Sequence, residues 1–157
     1  MSTLPLYYEF QNKVTAGVGY ARTQLNDLRS MIGQLESVLI ARLNTPAGRM
    51  KFGILDSENE FVEKRIVELT TKVNEPLLFA IQFDWDAQHP HGPYTVVQMF
   101  AAGVSRNVMI GLGTPDSGFF SLAANVPVPL NQVDFARAAD DVIGYLHSQV
   151  PLDFPTQ

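Results

Sequence analysis

The chain has 157 residues, 46% apolar and 17% charged, and its 11 basic and 16 acidic groups leave a net charge of −5. This length suits one domain with an adequate core, and so low a charge content excludes a disordered, solvating chain. The acidic balance argues against a nucleic-acid reader, and the lack of cysteine excludes disulfides, thiolate zinc sites and thiol nucleophiles.

Residues 1–12 contain no Lys or Arg and no continuous apolar run, so they fit neither a secretory signal nor a transit peptide. No apolar stretch reaches the eighteen residues of a membrane span. The expectation is a soluble, cytoplasmic protein that engages neither membrane nor nucleic acid.

The strongest pattern comes first. Val14, Val18, Ala21, Leu25, Leu28, Ile32, Leu35 and Leu39 follow one another in steps of four and three, which predicts a long helix over about 14–43. Met31, Val38, Ile40 and Leu43 widen the stripe toward packing on a sheet, and Pro46 and Gly48 stop the helix near Asn44. An unbroken helix from Asn12 to Leu43 would measure roughly 48 Å, more than the ~40 Å breadth of a compact domain of this size. Either Gly17 and Gly19 break it near Tyr20, or it projects and meets a second copy of itself.

Met50 to Asp56 reads as a strand. Ser57-Glu58-Asn59-Glu60 has the form of a capping box, and Val62, Ile66, Leu69 and Val73 supply the stripe of a second helix ended by Pro76. The β-branched residues and the alternation of Val67, Leu69, Thr71 and Val73 leave a strand open for its second half. Residues 77–84 form an apolar run of central-strand type, and Tyr94 to Ala101 with Arg106 to Leu112 predict an antiparallel pair joined around Gly103. Phe119 to Leu122 is a candidate edge strand, and Val-Pro-Val-Pro at 126–129 is extended. A final helix over about 132–149 has Asn131 as candidate N-cap and Phe135, Ala138, Val142, Tyr145 and Leu146 as its apolar face. The expected fold is one α+β domain over 1–157. In it a mainly antiparallel sheet of four to five strands, within about 50–123, is packed by a long N-terminal helix, a second helix and a C-terminal helix.

Charge is segregated: residues 1–51 carry a net +3 and residues 52–157 a net −8, which favours docking of the first helix on the acidic body, within or between chains.

The single cluster of candidate metal ligands is Asp84, Asp86, His89 and His91, around the turn residues Pro90 and Gly92. Two carboxylates and two imidazoles can hold zinc or another divalent ion, although a polar hairpin loop accounts for the same residues. Gly111-Leu112-Gly113 follows a strand, but Asp116 stands where a dinucleotide loop has its third glycine, so it reads as a turn. No Gly-x-x-x-x-Gly-Lys motif and no Gly-x-Ser-x-Gly elbow occurs. His147 suits the negative end of the last helix, and the acidic pairs Asp140-Asp141 and Glu58/Glu60 suit solvated faces and caps. Tyr7, Tyr8, Phe10, Trp85, Tyr94, Phe119 and Phe120 fall at loops and ends, where aromatics anchor partners or, with an arginine, grip an anion.

With no catalytic constellation and no cofactor motif, the sequence points to a non-enzymatic protein. It would work by self-association, as a homodimer, and by binding a protein partner, with the build of a small acidic chaperone, inhibitor or immunity protein. The expected interface is Leu25, Leu28, Ile32, Leu35 and Leu39. One alternative is a binder of a small molecule or nucleotide-derived metabolite, using Arg49, Trp85, Tyr94 and Arg106. Another is a metal-dependent hydrolase built on Asp84, Asp86, His89 and His91.

Overall fold

Helix α1, Leu6–Leu43, opens the computed structural model, which describes residues 6–45, 48–72, 75–85, 94–104, 106–115 and 127–149. At 1.5 Å per residue it runs about 57 Å. Gly17 and Gly19 lie within it unbroken, although each costs roughly 1 kcal/mol relative to Ala. Of the two geometric options set by its length, the helix takes projection. It ends where the sequence places the stop: Asn44 adopts φ 50°, the left-handed conformation that closes helices, and Thr45 N–H donates to the carbonyl of Ile40 at 3.4 Å.

Among the described residues five strands follow: β1 Met50–Leu55, β2 Phe61–Glu63, β3 Leu77–Asp84, β4 Tyr94–Val104 and β5 Asn107–Leu112. They form one sheet in the order β2-β1-β3-β4-β5, every neighbouring pair antiparallel. β3 lies at the centre, as its apolar continuity implies, with Leu77 opposite Ala101 and Asp84 opposite Tyr94 in register. Val128 adds an isolated bridge to Val108, exchanging both backbone hydrogen bonds at 2.8 and 3.1 Å. The proposed edge strand at 119–122 lies outside the described residues.

The expected second helix is not formed. Among the described residues there are two α-helices, not three, and the segment meant for the second one makes β2 and a single 3₁₀ turn, Ile66–Glu68. The reason is Asp56. Its carboxylate accepts from the backbone N–H of Glu58 and Glu60, both at 2.9 Å, and Asn59 takes φ 59°, so residues 56–60 close a hairpin instead of capping a helix. β1 and β2 then approach closely at Gly53, where an added Cβ would meet the carbonyl oxygen of Val62 at 2.0 Å. Beyond the turn, Leu69 is buried, and its carbonyl accepts from Arg29 Nε of α1 at 2.8 Å. Glu68 accepts from the Arg65 backbone N–H at 3.0 Å and from its guanidinium at 3.2 Å, which holds the glutamate below its ordinary pKa.

Helix α2, Phe135–Gln149, begins three residues later than expected. Leu130–Gln132 forms a 3₁₀ turn, and the N-cap is Asp134, not Asn131: its carboxylate accepts from Arg137 N–H at 3.0 Å. Ala138, Ala139, Val142 and Leu146 are buried, with Phe135 and Tyr145 packed at the margin of the core.

The core lies between one face of the sheet and the two helices. Leu77, Phe79, Ile81 and Phe83 of β3 alternate into it with Val97, Met99 and Ala101 of β4, and the rings of Phe52 and Phe79 stack at 6.1 Å. The second half of α1 covers them with Leu28, Met31, Ile32, Leu35 and Leu39, all fully buried. Arg42 of α1 pairs with Asp140 of α2 and ties the helices together at the surface.

Candidate functional site

The first half of α1 leaves the body. Every residue from Leu6 to Tyr20 is exposed, and the departure point is Gln24, which is buried against β4. Gly103 permits that contact, since a Cβ there would lie 2.7 Å from Gln24 Nε2. The projecting segment, hereafter the arm, carries Leu6, Tyr7, Phe10, Val14 and Val18 with 64, 69, 55, 65 and 52% of their surface exposed, against 0% for Leu28, Ile32, Leu35 and Leu39. Lone exposed apolar residues need no explanation, but these five form a continuous ridge on one helix. At 100° per residue, the ridge and the buried stripe point within about 20° of each other. The same face of one helix is therefore core in its second half and bare in its first.

The arm has two chemically distinct ends. Tyr7, Tyr8 and Phe10 cluster toward its tip, where the Tyr7 and Tyr8 rings meet edge to face at 5.4 Å and Lys13 Nζ sits 5.8 Å from the Phe10 ring centre. Ala16, Gly17, Gly19 and Ala21 occupy its base, and a Cβ added at Gly17 or Gly19 would meet nothing within 4 Å. No charged residue falls between Lys13 and Arg22.

Where the arm meets the body, on the flank of the ridge, lies a cleft of about 420 Å³ lined by Tyr20, Thr23, Gln24 and Asp27 of α1 and by Arg106 and Asn107 of the β4–β5 hairpin. Gln24 Nε2 donates to the Tyr20 hydroxyl at 3.3 Å.

Of the residues expected to form the interface, Leu28, Ile32, Leu35 and Leu39 lie fully buried beneath their own sheet, whereas Leu25 is half-buried and keeps part of its surface exposed. The proposed ligand grip divides too. Arg49, Trp85 and Tyr94 gather at one end of the sheet: Arg49 Nη1 donates to Asp84 Oδ2 at 2.9 Å, Trp85 Nε1 donates to Thr95 Oγ1 at 2.8 Å, and the Trp85 ring stacks on Phe83 at 5.6 Å. Arg106 stands at the opposite end of β4, about 30 Å away along the strand. Of the proposed metal ligands, Asp84 is engaged by Arg49, whereas Asp86, His89 and His91 lie outside the described residues. Among the described residues no group of three His, Asp or Glu side chains is placed to hold a metal ion. No helix among them is long and apolar enough to cross a membrane.

Sequence reasoning missed Leu6, Tyr7 and Phe10 as members of the seam, although Tyr7, Phe10, Val14 and Val18 continue its three- and four-residue steps. It also missed Tyr20, Gln24, Asp27 and Asn107, which meet only because a distant hairpin folds back on the helix. Comparison with protein-family models, curated proteins and solved structures gives no match.

Proposed function

We propose that the chain is a non-enzymatic protein that works by self-association, with the arm as its interface and a second copy of the same chain as the occupant. The observation that carries this reading is the bare ridge Leu6, Tyr7, Phe10, Val14 and Val18, collinear with a stripe that is fully buried one helix-half later. A projecting helix containing two glycines gains no tertiary stabilisation from its own body, and helical segments of that length are marginal in water. Covering the ridge supplies what is missing. Two arms, each about 24 Å long from Leu6 to Ala21, bury on the order of 1,000 Å² in all, the lower bound for a specific protein contact, so the association is concentration-dependent. Sedimentation velocity over a dilution series tests it: a mass moving from one chain toward two supports the reading, and one-chain mass at every concentration removes it. A protein partner, with chaperone-, inhibitor- or immunity-like action, would then be engaged by the dimer.

A second reading, small-molecule binding, is favoured by the cleft. Its volume lies within the usual range for ligand sites, and Arg106 beside Tyr20 offers a cation and a ring to an anionic, aromatic ligand such as a nucleotide-derived metabolite. A nucleotide panel at millimolar concentration that leaves the melting temperature unchanged would count against it.

A further inference from the structure

We infer that the two arms pair antiparallel, with the two-fold axis beside Val14, so that the aromatic half of each arm lies over the glycine half of the other. This rests on the self-association reading and adds its geometry. Sterics favour this direction. The ridge faces the same side as the stripe that packs on the sheet, so the body stands on that side of the helix from Gln24 onward. A second helix laid on the ridge in parallel would carry its own residues beyond 24 into that body. Laid antiparallel, it ends at its tip where the first body begins, and its own body lies past the first helix's tip.

Complementarity of size favours it as well. With Val14 on the axis, Tyr7 of one arm faces Ala21 of the other and Phe10 faces Val18, beside Gly17. An aromatic ring thus meets a smaller side chain on either side of the Val14 pair, and open space at Gly17, which lies on the ridge side of the helix, lets the Phe10 ring settle against backbone. Parallel pairing would set aromatic on aromatic at one end and leave a gap between glycines at the other. The uncharged stretch between Lys13 and Arg22 allows this close approach without burying an ionised group.

The absence of cysteine makes the test direct, since each introduced thiol is unique in the chain. Full-length Tyr7→Cys, Ala21→Cys and Val14→Cys are oxidised at a concentration where the unmodified chain sediments as a dimer. In the antiparallel pair two copies of position 7 lie about 21 Å apart along the axis, whereas a disulfide needs Cα atoms within roughly 7 Å. The expected result is that Val14→Cys cross-links alone and that Tyr7→Cys and Ala21→Cys cross-link only when mixed. Cross-linking of Tyr7→Cys with itself means a parallel pair and overturns the inference while self-association stands. A dimer that gives no cross-link in any of these samples places the interface elsewhere and overturns it too. A chain that never dimerises takes the proposed function down with it.

Discussion

Val14→Glu separates the two halves of α1. Val14 keeps 65% of its surface exposed, lies outside the buried core, and is the residue the pairing places on the two-fold axis. In the isolated chain the substitution therefore costs no more than about 0.5 kcal/mol, as at other surface positions. In the dimer each chain loses the burial of a half-covered valine, about 1 kcal/mol, and two carboxylates are brought together, worth about 1 kcal/mol more at 4 Å in high dielectric. The sum, about 3 kcal/mol, weakens the dimer roughly a hundredfold. Sedimentation velocity across a dilution series reads the dissociation constant, and circular dichroism melting in the most dilute sample reads the fold of the single chain. The account requires a large rightward shift in the first with no change in the second. Unchanged dimerisation would refute the interface, and a fall of many degrees in the dilute melting temperature would refute the claim that the arm stands outside the core.

Other positions probe the body. Leu35 is fully buried between α1 and the sheet, so Leu35→Ala should lower unfolding free energy by about 2–5 kcal/mol in urea, dimer or not; a loss below 1 kcal/mol would contradict that packing. Gly53→Ala drives a Cβ into the Val62 backbone and should cost about 1–3 kcal/mol, whereas Gly103→Ala meets only the flexible end of Gln24 and should cost less; the reverse ranking would undo the β1–β2 register. For Glu68 the folded pKa is lowered, so its stabilising contribution is present above the unfolded pKa and is lost as pH falls through the folded one. An NMR titration should find its midpoint below the ordinary glutamate range. Arg65→Ala should restore it only in part, because the backbone N–H of residue 65 remains the leading cause; full restoration would assign the effect to the guanidinium instead.

How far the sequence foretells this structure depends on whether the signal is local. The apolar run of β3, the antiparallel pairing of β4 with β5 and the stop at Asn44 all rest on neighbouring residues and are found as the pattern implies, except that Gly103, expected at the link, lies inside β4 opposite Val108 and the strand runs on to Val104. At the expected second helix two local signals compete. Ser57 to Glu60 has the spacing of a capping box, but Asp56 one residue earlier captures the same backbone donors and closes a turn, and the β-branched Val62 then continues as strand. The start of α2 shows the same competition one step further on, with Asp134 outdoing Asn131.

The site was legible only in outline. Heptad spacing gives a helix that must hide one side, but periodicity alone cannot say which stretch of the seam goes under the sheet and which stays bare. That boundary is set by Gln24 and Gly103, residues 79 apart in sequence, whose contact no spacing rule reveals. The same separation hides the cleft, since Asp27 and Arg106 become neighbours only once the β4–β5 hairpin is in place.

Hydrogen exchange at two protein concentrations bears most directly on the central claim, because it watches the arm itself in the unaltered chain. The account predicts that amides from Phe10 to Tyr20 exchange fast in dilute solution and slow in proportion to the dimer fraction, while those from Leu28 to Leu39 stay protected throughout. Arm amides whose exchange is the same at both concentrations, while sedimentation reports a dimer, would contradict it.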